Sequence, residues 1–147
     1  MFGVILLLHL LGATIWNGGH LVLALCILPG VLKERSVSRL VAFEQVYERL
    51  GMTALAVQIV TGLWLAHRLI PDITLWLDGS NPLARGILVK LTLLLLTAIV
   101  ALDARLRVIP RLDEQRLNDM AWHIIAVTIL SVLFVAAGVA FRTGWWF

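Results

Sequence analysis

Between Met1 and Leu32 the chain has no Asp, Glu, Lys or Arg. A run of this kind leaves little choice of fold. About 20 mostly apolar residues are enough to cross a bilayer as a helix. Composition points the same way. The chain has 147 residues, is 61% hydrophobic and has a mean hydropathy of +0.95. A soluble domain is roughly 45–50% apolar. Three further charge-poor runs follow: Leu50 to His67, Gly86 to Leu102 (broken only by Lys90), and Ala121 to Phe141. Inside a bilayer the backbone must satisfy its own hydrogen bonds, so each run is expected to be a helix.

The expected fold is therefore all-α. It is an integral membrane four-helix bundle in a single transmembrane domain, 1–147, with helices near 2–30, 47–70, 85–109 and 118–143. Met1 leads directly into the first span, with no charged leader before it, so that span is expected to be retained. The mixed segment Ser38 to Gly51 should prolong helix 2 or lie along the membrane surface. Pro71, Gly79 and Pro82 mark a true loop. The single Cys26 rules out an intramolecular disulfide and a Cys-x-x-Cys motif.

Lys and Arg set the expected orientation. The first connection carries Lys33, Arg35, Arg39 and Arg49, and the third carries Arg105, Arg107, Arg111 and Arg116. The second has only Arg68 and Arg85. The positive-inside rule then puts connections one and three in the cytoplasm and both termini on the other side. In this setting the net charge of +3 implies a bilayer partner, not nucleic acid. Trp76, Trp145 and Trp146 are expected to form an outer aromatic belt.

All four histidines, His9, His20, His67 and His123, fall within or at the edge of an expected span. Intramembrane ionisable residues are expensive and are functional candidates by default. His9, Trp16 and His20 form one stripe on helix 1, with the two imidazoles about 16 Å apart along it. Depth counting from the helix middles pairs His9 with His67 at an outer level and His20 with His123 further in. Imidazole suits copper, iron, zinc and haem iron. Two levels of paired His in a bundle suit two metal centres or two haems. Against this stands the plainer reading, in which each His donates a hydrogen bond between helices.

The stretch IWNGGH, Ile15 to His20, surrounds one of these rings with polar and small residues. Gly18 and Gly19 suggest close packing. Trp16 and Asn17 are candidate cofactor neighbours, although an interhelical hydrogen bond is the commoner role for Asn17. Asp103 suits a carboxylate orienting His20 or His123, or an ion pair with Arg107. Lys90 and Arg142 either snorkel to the surface or hold an anion. Cys26, Met52 and Met120 are soft groups near the inner face, and core filling is the better prior for them.

The string LHLLGATIWNGGHLVLALCILPGVL, Leu8 to Leu32, resembles the first helix of CopD-type copper-resistance membrane proteins, where a His is followed by Trp-x-Gly-Gly and a Pro near the helix end. TGLWLAHR, Thr61 to Arg68, and VKLTLLLLTAIVALDARLRVIPRL, Val89 to Leu112, resemble that family too. The likeness implies a compact four-helix copper protein. A more distant resemblance is to HemJ-type haem-associated proteins. It rests on His-x6-Trp in helix 1 and on YERLGMTALA, Tyr47 to Ala56; Ala101-Leu102-Asp103 stands where that family has a Tyr-His.

Two functional expectations result, with a third behind them. The family likeness favours copper handling or translocation in a bacterial inner membrane through His9, His67, His20 and His123, without catalysis. On residue chemistry alone, paired His without Met or Cys suits haem b slightly better. That alternative is an oxidoreductase passing electrons between a quinol and an outside acceptor. The third expectation is an accessory subunit without a cofactor. A periplasmic copper protein or a quinol is the matching partner, and a homo-oligomer is compatible with either.

Overall fold

A computed structural model describes residues 1–145. Four helices are long and apolar enough to cross a membrane: α1 (Phe2–Glu34), α2 (Val37–Leu69), α3 (Pro82–Arg111) and α4 (Leu117–Thr143). No strand occurs among the described residues. The chain is an all-α, multi-pass membrane protein. Large apolar side chains such as Leu25, Val60, Leu95 and Ile129 face outward, as a lipid-facing surface requires. Trp146, expected in an outer belt, lies outside the described residues.

α1 packs most extensively on α2, and α3 on α4; contact between α1 and α4 joins these two antiparallel hairpins. The segment Ser38 to Gly51 runs continuously into α2. Its start is sharp. Arg35 adopts the left-handed conformation at φ 52°, and the Ser36 hydroxyl then accepts the Arg39 N–H at 3.3 Å. The Arg35 guanidinium donates to the Glu114 carbonyl, tying the first connection to the third.

Both hairpins widen their first helix at the same place. π-turns occupy Leu23–Ile27 in α1 and Ala104–Val108 in α3. Each ends two residues before a proline, Pro29 or Pro110. A proline within a helix loses its N–H and clashes with the carbonyl four residues back. That carbonyl belongs to Leu25 or Leu106, inside the widened turn, so the π-turn absorbs the clash. The buried core gathers at this end of the bundle, with Leu23, Leu28, Val31, Leu40, Val108, Leu117 and Met120 in one cluster.

At the other end, the loop between α2 and α3 folds back on itself. Trp76 was expected in the outer belt, yet it is buried against Ile70, Ala84 and Ile87. Its indole N–H donates to the Ile70 carbonyl at 2.8 Å, so the polar handle of the ring is satisfied inside the protein. Asp72 and Asp78 each accept the backbone N–H and the hydroxyl of the residue two further on, Thr74 and Ser80. Those bonds favour the carboxylates and hold both below the usual Asp range.

Candidate functional site

The seam between α1 and α2 is built on glycine. A Cβ at Gly12 would meet the Gln58 side chain at 2.8 Å, and one at Gly19 would overlap the Tyr47 ring. A Cβ at Gly62 would stand 3.2 Å from Cε1 of His9. Small residues let two membrane helices approach, and here each one receives a particular side chain of the opposite helix. A Cβ at Gly18 would meet nothing within 4 Å, so only Gly19 of the pair is a packing glycine.

The IWNGGH stretch is divided between two neighbours. Toward α2, the Tyr47 hydroxyl bonds to the carbonyls of Ile15 and Trp16 at 3.1 Å each. The Tyr47 ring meets His20 edge-on, with centroids 5.9 Å apart, and Trp16 lies 4.4 Å from the His20 ring. Toward α4, the Ser131 hydroxyl donates to Oδ1 of Asn17 at 2.7 Å. Asn17 is thus an interhelical bond, and His20 is held in an aromatic corner.

Hydrogen-bond accounting fixes how the two α1 imidazoles are presented. Nδ1 of His20 lies 2.8 Å from the Trp16 carbonyl. A carbonyl only accepts, so Nδ1 carries the hydrogen and the neutral ring exposes a lone pair at Nε2. Nδ1 of His9 lies 2.9 Å from the Thr61 hydroxyl oxygen. The hydroxyl hydrogen of Thr61 is directed to the Val57 carbonyl at 2.6 Å. Toward His9 that oxygen therefore accepts, and His9 also presents Nε2 as its lone-pair nitrogen. Metal-ligating His is commonly fixed in this way, through a bond from its other nitrogen.

His67 and His123 are placed differently. Phe2 opposite Trp64, His9 opposite Thr61 and Gly19 opposite Tyr47 define one antiparallel register. That register sets His67 level with the first residues of α1. From Gly62, the residue His9 touches, His67 is about 140° around α2 and about 7.5 Å further along. Counting depth from the middle of each apolar run missed this, because helix register decides which side chains meet. His123 has both nitrogens engaged: Nδ1 with the Asp119 carbonyl at 2.8 Å and Nε2 with Oδ2 of Asp103 at 2.9 Å. The Thr128 hydroxyl lies 3.3 Å from the His20 carbonyl. On that register His123 is more than a turn beyond His20, with its ring turned to α3.

Comparison with known proteins adds the family. The family model for CopD, copper resistance protein D, matches residues 41–141. The chain belongs to the CopD family. Neither a curated protein nor a solved structure matches it. Membership links the chain to copper resistance at a membrane. The matched region includes His67 and His123 but stops short of α1, so the two lone-pair-presenting imidazoles lie outside it.

Other groups of this CopD chain complete the picture. Asp103 takes both roles expected of it, since its second oxygen pairs with Arg107 at 2.7 Å. Lys90 projects toward α4, with Nζ 5.6 Å from the centroid of the Phe141 ring. Cys26 is exposed on the α1 π-turn, and Met120 is buried in the core. No group of three or more His, Cys, Asp or Glu among the described residues is arranged to hold a metal. Sequence reasoning passed over Tyr47 and Thr61. Tyr47 is the only tyrosine in the chain and stands four residues before Gly51, whose missing side chain makes room for its ring. That spacing is the signal that was available.

Proposed function

We propose that this CopD-family protein carries copper across a bacterial inner membrane as Cu(I), using Nε2 of His9 and of His20 as successive ligands along α1. One observation carries this reading. Both imidazoles have Nδ1 committed to an oxygen and Nε2 open, on one helix stripe about 16 Å apart. Cu(I) accepts low coordination and imidazole ligands, so a single fixed nitrogen can serve as a stepping point if a mobile ligand completes it. The excess of Lys and Arg on connections one and three supports termini on the periplasmic side. His9 then faces the periplasm, and His20 the cytoplasmic half.

The same geometry gives less support to haem b. A bis-His haem needs a second imidazole across from the first, whereas Thr61 and Gly62 stand against His9 and Tyr47 against His20. His67 and His123 then play supporting roles, at the outer rim and in an ion-pair clamp.

Copper titration of detergent-purified protein under reducing conditions tests the reading. Wild type should bind Cu(I), with a separate loss of occupancy in His9→Ala and in His20→Ala. Unchanged stoichiometry in both variants, with folding verified by circular dichroism, would overturn it. A haem spectrum in the purified protein would do the same.

A further inference from the structure

Where α3 meets the start of α4, a cavity of about 520 Å³ opens at the surface. Three arginines line it, Arg107, Arg111 and Arg116, together with the Asp103–His123 pair. Arg107 is paired with Asp103. Arg111 and Arg116 have no carboxylate partner within ion-pair distance among the described residues. Asp103 already serves two cations, and Asp119, the other carboxylate at the cavity, lends its carbonyl to His123. Among the lining residues three arginines thus meet two carboxylates; beside the cavity, Asp113 turns its carboxylate to the Arg116 backbone N–H.

The rest of the lining has a different chemistry. Leu106 and Trp122 also border the cavity, and each is 71% exposed. One side is therefore cationic and the other is an exposed apolar surface on membrane-spanning helices. We propose that this cavity binds the phosphate headgroup of an anionic phospholipid, from the leaflet on the side of the first and third connections. Arg111 and Arg116 take the phosphate oxygens, and the first acyl carbons lie along Leu106 and Trp122. A free phosphate would use the arginines but not the apolar wall. Basic pockets between membrane helices are suited to such headgroups, and guanidinium matches phosphate oxygens in a bidentate manner. This site is independent of the copper reading, because it shares no residue with the α1 histidines.

Native mass spectrometry of protein released from nanodiscs of phosphatidylglycerol and phosphatidylcholine tests the site. Arg111→Gln with Arg116→Gln should lower retained phosphatidylglycerol roughly ten- to thirtyfold. Lys33→Gln with Arg49→Gln removes equal charge at the same end of the bundle and should change retention by less than about threefold. Arg111→Lys with Arg116→Lys keeps the charge but not the bidentate fork, so retention should fall between wild type and the Gln pair, which separates charge from fold damage. Equal losses in the Gln pairs would overturn the proposal, since attraction would then be general. Inorganic phosphate that displaces the lipid at millimolar concentration would also overturn it, by assigning the cavity to a free anion.

Discussion

His20 and His123 both lie on membrane-spanning helices and both bond a backbone carbonyl four residues earlier in the chain through Nδ1. The difference is at the other nitrogen. For His20 the surroundings are rings and glycine, and Nε2 keeps its lone pair. For His123, Nε2 is taken by Asp103, which also binds Arg107. The same residue in the same local bond thus keeps an open nitrogen in one place and is closed into an ion-pair clamp in the other. In this chain the partner across the helix interface, and not membrane depth, makes that difference.

Substitution of the two rings should give the largest difference between these environments. His20→Ala should abolish Cu(I) occupancy at its level, while His123→Ala should retain wild-type copper stoichiometry and melt at a lower temperature. Inductively coupled plasma mass spectrometry and thermal unfolding in detergent read the two effects. Loss of copper in His123→Ala would erase the distinction.

Gly18 and Gly19 test how closely the seam fits. Gly19→Ala places a methyl into the Tyr47 ring and should destabilise the protein by about 1–3 kcal/mol, as overpacking does. Gly18→Ala meets nothing and should be neutral or stabilising by roughly 0.5–1 kcal/mol, the usual helix gain over Gly. Thermal unfolding of the two variants side by side decides it; equal melting temperatures would contradict the packing asymmetry.

The smallest effect belongs to the loop between α2 and α3, outside both histidine environments. Asp72 and Asp78 are held below the ordinary Asp range by bonds to their carboxylates. A lowered folded-state value means the contribution is present above the ordinary Asp value and is lost as pH falls through the lowered one. Protection of the Thr74 and Ser80 amides, taken as exchange relative to the unstructured rate at the same pH, should be lost only under strongly acidic conditions, and Asp78→Asn should lower it at Ser80 at neutral pH.

Much of this fold was legible because charge-free runs are long, and a bilayer leaves the backbone of such a run only the helix. The break at Arg35 and Ser36 was less visible, so the sequence left Ser38 to Gly51 either as an extension of helix 2 or as a surface segment; in the structure it is the extension, and α2 begins at Val37. The ion pair of Asp103 with Arg107 was readable from their one-turn spacing. Pairing between helices was not readable, because it depends on register. His9 meets Thr61 because Gly12 and Gly19 fix how α1 lies against α2, and no single-helix periodicity contains that information. Trp76 misled for a similar reason: its indole N–H finds the Ile70 carbonyl once the loop folds back.

In the proposed reading His9 and His20 offer Nε2 to copper, and His123 offers neither nitrogen. Nitrogen-15 NMR of histidine-labelled protein in nanodiscs, before and after Cu(I) addition, separates these roles. Nδ1 of His9 and His20 should stay protonated throughout and their Nε2 resonances should shift on copper addition, while both His123 resonances remain in place. A copper-induced shift at His123, with none at His9 or His20, would refute the assignment.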